Sequence, residues 1–272
     1  MATNHVSGKN GAVYKGTTAA LEIDSCEVIW TADDAAVSRE SDVPVPEGTY
    51  YARATTTTVG ADAILIHHAV VKDLSAYDGA MWWARTGLAA GTTAADLKLK
   101  LYEVGGEAAP TESLVQPALV DNVWKHCFDL FSDTPANRNA IVGVQLYQDV
   151  DLGDDTFDLD DIVAVAEIDG IKSWSLEYTS ATLETTDFGD SGVATHIPGI
   201  SSWSGSFDGF KDGVPVGIGA EVYLVMGETN TDGNWWLGKA IITSARPSVD
   251  HDGIVTYSYD FQGTGELTPP TA

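Results

Sequence analysis

Seven aspartates fall between positions 149 and 161: Asp149, Asp151, Asp154, Asp155, Asp158, Asp160 and Asp161. Carboxylates at this density could supply the hard oxygen ligands of a calcium ion, although their spacing does not follow an EF-hand loop. The competing reading is an acidic turn that faces water. His67 and His68 are adjacent, so on a strand they point to opposite faces and cannot share one ion. A half-buried structural histidine is the alternative there. Trp82-Trp83 and Trp235-Trp236 each place one ring toward a core and the other outward, where it could stack on a sugar ring or fill an interface. Cys26 and Cys127 stand far apart with no CxxC spacing, which reads as two buried free thiols. No G-x-S-x-G, H-E-x-x-H or P-loop is present. Asp187-Phe188-Gly189 spells the kinase triplet but lacks a catalytic loop and a Gly-rich strand. A glycoside hydrolase needs two carboxylates across a cleft, and no motif singles out a pair among 40 acids. The chain reads as a non-enzyme.

The elements that would position these residues are strands. Residues 170–178 and 199–207 both begin Gly-Ile-x-Ser-Trp-Ser, with Trp174 and Trp203 in matching places, and both alternate in polarity as half-buried strands do. They predict a hairpin whose arms are separated by a long polar loop over residues 179–198. Earlier in the chain, strand-like runs occur at 26–30, 47–55, 64–71, 80–85, 97–102, 123–128, 140–147 and 156–165. Leu97-Lys-Leu-Lys-Leu-Tyr102 alternates strictly. Short strands at this spacing, with Gly, Asp, Pro and Asn between them, predict an antiparallel sandwich. Further strands follow at 214–226, 234–243 and 249–261, with Asp252-Gly253 as a turn. No sustained helical period follows Phe210. The fold class is all-β.

The words Glu22-Ile-Asp24 and Glu167-Ile-Asp169 bracket a change of character. This predicts a domain of residues 22–168 inserted into a host formed by residues 1–21 and 169–272, with its two ends side by side.

With 14 basic and 40 acidic residues the formal net charge is −26, spread as −16 over residues 1–168 and −10 over 169–272. Such a surface lacks the basic footprint that phosphate binding needs, which excludes nucleic-acid recognition through the backbone. No run approaches the length of an apolar membrane span, and residues 1–6 show no basic segment followed by an apolar run. The expectation is a chain made in a cytoplasm without a membrane span.

The Trp174 strand, the Thr-Thr-Asp187-Phe188-Gly189-Asp190 loop and Trp203-Ser-Gly-Ser-Phe-Asp-Gly resemble the tail tube proteins of long-tailed phages, as do residues 8–16 and Phe261-x-Gly-x-Gly. The resemblance implies a β-sandwich or barrel, homo-hexameric rings stacked around a DNA channel, contacts with other tail proteins, and a virion location. DNA would pass through without specific binding. In that family the long loop joins neighbouring subunits, which assigns Asp187, Phe188, Gly189 and Asp190 to the subunit contact. Residues 73–85, 97–102, 124–130 and 157–162 resemble, in order, the jelly-roll sandwiches of carbohydrate-binding modules. That implies an accessory sandwich displayed outside the tube, an alternative role in glycan binding through residues 22–168, and a structural calcium at Asp160, the position matching the Asp of the closing strand. No other cofactor is implied.

Like charges at this density repel, and screening relieves the repulsion, which suits a chain working in brine. Stability or assembly is expected to rise with salt, most steeply as the Debye length falls from about 10 Å to about 3 Å. Melting temperatures that do not move across that range would contradict it.

Overall fold

The computed structural model describes the chain except for residues 1–10, 17–21, 104–109, 187–192, 212–214, 230–233, 250, 252 and 271–272. The expected contact residues Asp187, Phe188, Gly189 and Asp190, and the Asp252 turn, lie outside the described residues.

The described residues form seventeen strands. The first group is β1 (Val13–Gly16), β2 (Glu22–Asp24), β3 (Thr31–Ala32), β4 (Ala36–Glu40), β5 (Tyr51–Thr55), β6 (Ala63–Lys72), β7 (Gly79–Thr86) and β8 (Leu97–Tyr102). Next come β9 (Glu112–Val115), β10 (Lys125–Leu130), β11 (Ile141–Gln148) and β12 (Thr156–Glu167). The last are β13 (Ile171–Glu184), β14 (His196–Phe210), β15 (Glu221–Gly227), β16 (Trp235–Ser248) and β17 (Thr256–Thr268). No α-helix occurs among the described residues, and Pro135–Arg138 makes a single 3₁₀ turn. All pairings between these strands are antiparallel, as the alternating sequence runs require.

Two sheets result. The smaller has the order β3-β6-β11-β8-β9. The larger runs β10-β7-β12-β1-β15-β16-β17-β14-β13, with β2 and β5 also on β12 and β4 on β5. One apolar core, including Trp82, Leu99, Val144 and Phe157, draws only on residues 23–164. A second, around Trp203, Phe207, Leu224 and Phe261, draws on Val13 and residues 203–267. A third joins them: Met81, Val163 and Val165 pack against Tyr14, Tyr223, Val225, Trp235 and Leu237. At the joint, Val163 pairs with Glu22 on β2 and Glu167 pairs with Tyr14 on β1. Strands β1 and β2, at either side of position 20, thus both pair with the end of β12.

Three local readings need correction. Residues 26–30 are not a strand: the Asp24 carboxylate accepts the Cys26 N–H at 2.8 Å and Cys26 turns to a φ of 56°, closing an Asx-type turn. Strands β4 and β9 lack clear alternation in the sequence and were not expected. The hairpin arms also run further than residues 178 and 199. Pairing continues through Leu183↔Ile197 to Glu184↔His196, and the Thr185 N–H reaches the Thr195 carbonyl at 2.9 Å.

The base of this hairpin is fixed by a tryptophan seated on glycines. Trp203 is buried and donates its indole N–H to the Gly265 carbonyl at 2.9 Å. Its ring lies where side chains of β16 and β17 would stand, since a Cβ at Gly263 would sit 2.1 Å from it and one at Gly238 2.6 Å. Neither position is open to a side chain. Gly263→Ala is expected to destabilise the fold by about 1–3 kcal/mol through overpacking, measured by urea denaturation. An unchanged midpoint would mean that Trp203 is not held there.

Candidate functional site

Strand β12 is buried along nearly its whole length, from Phe157 to Val165. Three of the seven clustered aspartates lie in it, which overturns the reading of the whole cluster as a solvated turn. Asp158 is neutralised by two guanidinium groups: Arg53 Nε donates to Oδ1 at 2.8 Å, and Arg85 Nη2 to Oδ2 at 2.6 Å. The remaining four are on the loop, where Lys98 pairs with Asp149 at 2.6 Å and Asp154 accepts the Thr58 N–H at 2.6 Å.

Asp160 and Asp161 share a side because of a bulge. The pairing of β12 with β7 shifts between Asp160 and Val163, and Asp161 takes a φ of 41°. Phe157, Leu159, Ile162 and Ala164 keep their places in the sandwich core, so both carboxylates turn away from it. Asp161 accepts the phenolic O–H of Tyr223 on β15. Asp160 accepts the Glu47 N–H at 3.0 Å with Oδ2, and its Oδ1 has no partner. Burial, set partly against the Glu47 N–H and reinforced by the charge of Asp161, raises the Asp160 pKa to about 8. Burial also raises Asp161, to about 6, against the hydrogen bond from Tyr223.

These residues do not form a calcium shell as they stand. Calcium takes roughly six to eight oxygens. Only one carboxylate oxygen of Asp160 is unused, Asp161 is held by Tyr223, and Asp24 is held by Cys26 and His68. Among the described residues no group of three His, Cys, Asp or Glu is placed to hold a metal. His67 and His68 meet different aspartates, Asp33 and Asp24, as opposite faces of β6 require. Cys26 and Cys127 are free and buried.

Beyond the apolar joint, the outer face of β7 and the flank of β10 open into a cavity of about 570 Å³. Trp83 and Trp124 form one wall; Tyr223, Glu221 and Lys239 form the other, with Glu47 and Glu266 at the rim. Trp83 stacks flat on His126, with centroids 4.2 Å apart and planes 1° from parallel. His126 is neutral, since burial and then the Lys239 charge lower its pKa to about 3. Lys239 bridges Glu47 at 2.7 Å and Glu221 at 3.3 Å over the Tyr223 ring. Burial acts to lower its pKa, but the hydrogen bond and charge of Glu47, with Glu221, carry the net shift upward. Trp82 and Trp83 do face opposite ways, Trp82 into the core and Trp83 toward this cavity. The contribution of β15–β17 to the cavity carries no motif, and sequence reasoning missed it.

No protein-family model matches the chain. No curated protein matches it either. Among solved structures, the tail of an empty gene transfer agent particle, with C6 symmetry, is similar over 40% of this chain and 87% of its own, at 20% identity and a TM-score of 0.33. The CBM22-1 xylan-binding domain of Paenibacillus barcinonensis Xyn10C is similar over 58% of this chain and 97% of its own, at 15% identity and a TM-score of 0.33. The CBM22-1-CBM22-2 tandem of that protein is similar over 96% and 86%, at 12% identity and a TM-score of 0.35.

The raised carboxylates set a pH dependence. Between about pH 4 and about pH 8 the unfolded chain has released the Asp160 proton while the native chain retains it, so stability falls as pH rises through that window. Asp161 adds a smaller fall between about pH 4 and about pH 6. One such group gives a slope of up to about 1.4 kcal/mol per pH unit. Asp160→Asn should flatten the profile of urea unfolding free energy above pH 6. Identical slopes in the two proteins would show that Asp160 titrates normally.

Proposed function

We propose that this chain is a structural subunit of a viral tail tube, assembling as stacked hexameric rings around a DNA channel in the virion, with residues 22–168 displayed as an outer accessory sandwich. The observation that carries the reading is the free outer half of the β13–β14 hairpin. Pairing of β14 with β17 runs only from Ser204 to Phe210 and the Trp203 ring is seated on Gly238 and Gly263, so residues 196–202 of β14 project with β13 as their sole partner strand. From Ser204 to His196 the ribbon reaches roughly 27 Å beyond the last three-stranded register, at about 3.4 Å per residue.

It is exposed on both faces, yet it carries Tyr178, Leu183, Ile197 and Ile200 at the surface, with Ile200 85% exposed. A two-stranded ribbon is marginal alone in water, and an apolar one is a surface for a partner. Its outer edge, β13, is also the end of the larger sheet and offers unpaired backbone groups to another chain. The subunit contact assigned to Asp187, Phe188, Gly189 and Asp190 falls at the tip of this ribbon in the sequence. The charge suits a conduit, since an acidic wall does not hold phosphate. A second reading, glycan binding, is favoured by the two indoles that line the cavity.

Purified protein tests the first reading. Replacing Leu183 and Ile197 with Ser, or deleting residues 187–192, is expected to abolish rings and tubes while leaving the monomer's melting transition nearly unchanged. Each anchor contact is worth about 1–3 kcal/mol of association, within the range of interface hot spots. Normal light scattering and normal tubes from both variants would remove the hairpin as the subunit clasp.

A further inference from the structure

We infer that the cavity between β7, β10, β15 and β16 is a binding site for an uncharged saccharide, built jointly by residues 22–168 and residues 169–272. This rests on the glycan-binding reading above and changes its location, because neither part of the chain holds the site alone.

The wall from the earlier segment is aromatic. Trp83 and Trp124 are each partly buried, and both are held rigidly, Trp83 on His126 and Trp124 edge-on to Tyr51 at 5.3 Å. Fixed indole faces carry a negative quadrupole that attracts the C–H face of a sugar ring. The indole N–H groups of Trp83 and Trp124 are themselves buried from solvent, so the cavity is offered ring surface rather than indole donors.

The charged lining selects charge: Glu47 from the earlier segment, with Glu221 and Glu266 from the later one, outnumber Lys239, so an anionic ligand is repelled. Three aromatic rings among carboxylates would also suit an organic cation. That place is already taken: Lys239 lies over the Tyr223 ring at 5.1 Å and pairs with Glu47 and Glu221. What remains is a site with stacking surfaces, carboxylate acceptors and one ammonium donor, the complement of a neutral ring rich in hydroxyls.

Titration of the full chain with neutral hexasaccharides of xylose, glucose and mannose, followed by tryptophan emission and calorimetry, tests this. An oligogalacturonate and choline chloride serve as the charged probes. Saturable binding of at least one neutral hexasaccharide is expected, weakened tenfold or more by Trp124→Ala and several-fold by Glu221→Gln. The Glu221 side chain is exposed to solvent, so its replacement leaves the apolar core untouched and reports even if Trp124→Ala unfolds. Binding that neither Glu221→Gln nor a folded Trp124→Ala alters would overturn the location while leaving glycan binding standing. No binding of any neutral saccharide, or preference for choline or the galacturonate, would overturn both.

Discussion

Strand β12 is buried on both faces, and it carries three carboxylates into that interior. One face packs into the sandwich through Phe157, Leu159 and Ile162, the other into the joint through Val163 and Val165. Its edges pair with β7 and β5, then with β2 and β1. A buried charge is tolerated only if paired, hydrogen-bonded or discharged. The three aspartates use three different solutions: Arg53 and Arg85 pair with Asp158, Tyr223 hydrogen-bonds Asp161, and Asp160 is raised enough to hold its proton near neutrality. The second solution requires a residue from β15, so the electrostatics of the joint and its apolar packing depend on the same alignment of the two sheets.

How much of this was legible in the sequence follows from how many faces each strand buries. Leu97-Lys-Leu-Lys-Leu-Tyr102 reads plainly because one face meets the core while its lysines remain only partly buried. The paired Trp174 and Trp203 strands read plainly for the same reason. Strand β12 was legible as a strand over 156–165, but its burial on both faces was not, since its acids look like a water-facing turn until Arg53, Arg85 and Tyr223 are seen around them. The bulge that turns Asp160 and Asp161 to one side is a register property with no residue signature. The seat of Trp203 on Gly238 and Gly263 was equally hidden, since those residues come from two other strands.

The candidate site was half legible. Trp82-Trp83 announced one inward and one outward ring, and the structure gives the outward ring a role in the cavity wall. Its opposite wall, with Glu221, Tyr223 and Lys239, comes from strands whose sequence says only that they are strands. A cleft between two packing units is set by how the units meet, and no local run of residues encodes that. The hairpin shows the complementary case: its polarity announced a projection, and pairing continued beyond the expected arms because the β-branched Thr179, Thr182 and Ile197 still favour extended backbone without a core to cover.

The central claim is that the free ribbon of β13 and β14 exists to meet another copy of the chain. Electron microscopy of the purified full-length protein, raised in concentration at about 1 M salt where the Debye length is about 3 Å, tests it most directly. The account predicts rings of uniform diameter that stack into tubes, with the ribbon of each subunit lying against its neighbour. Single particles of monomer size at every concentration, with the ribbon free in solution, would contradict it.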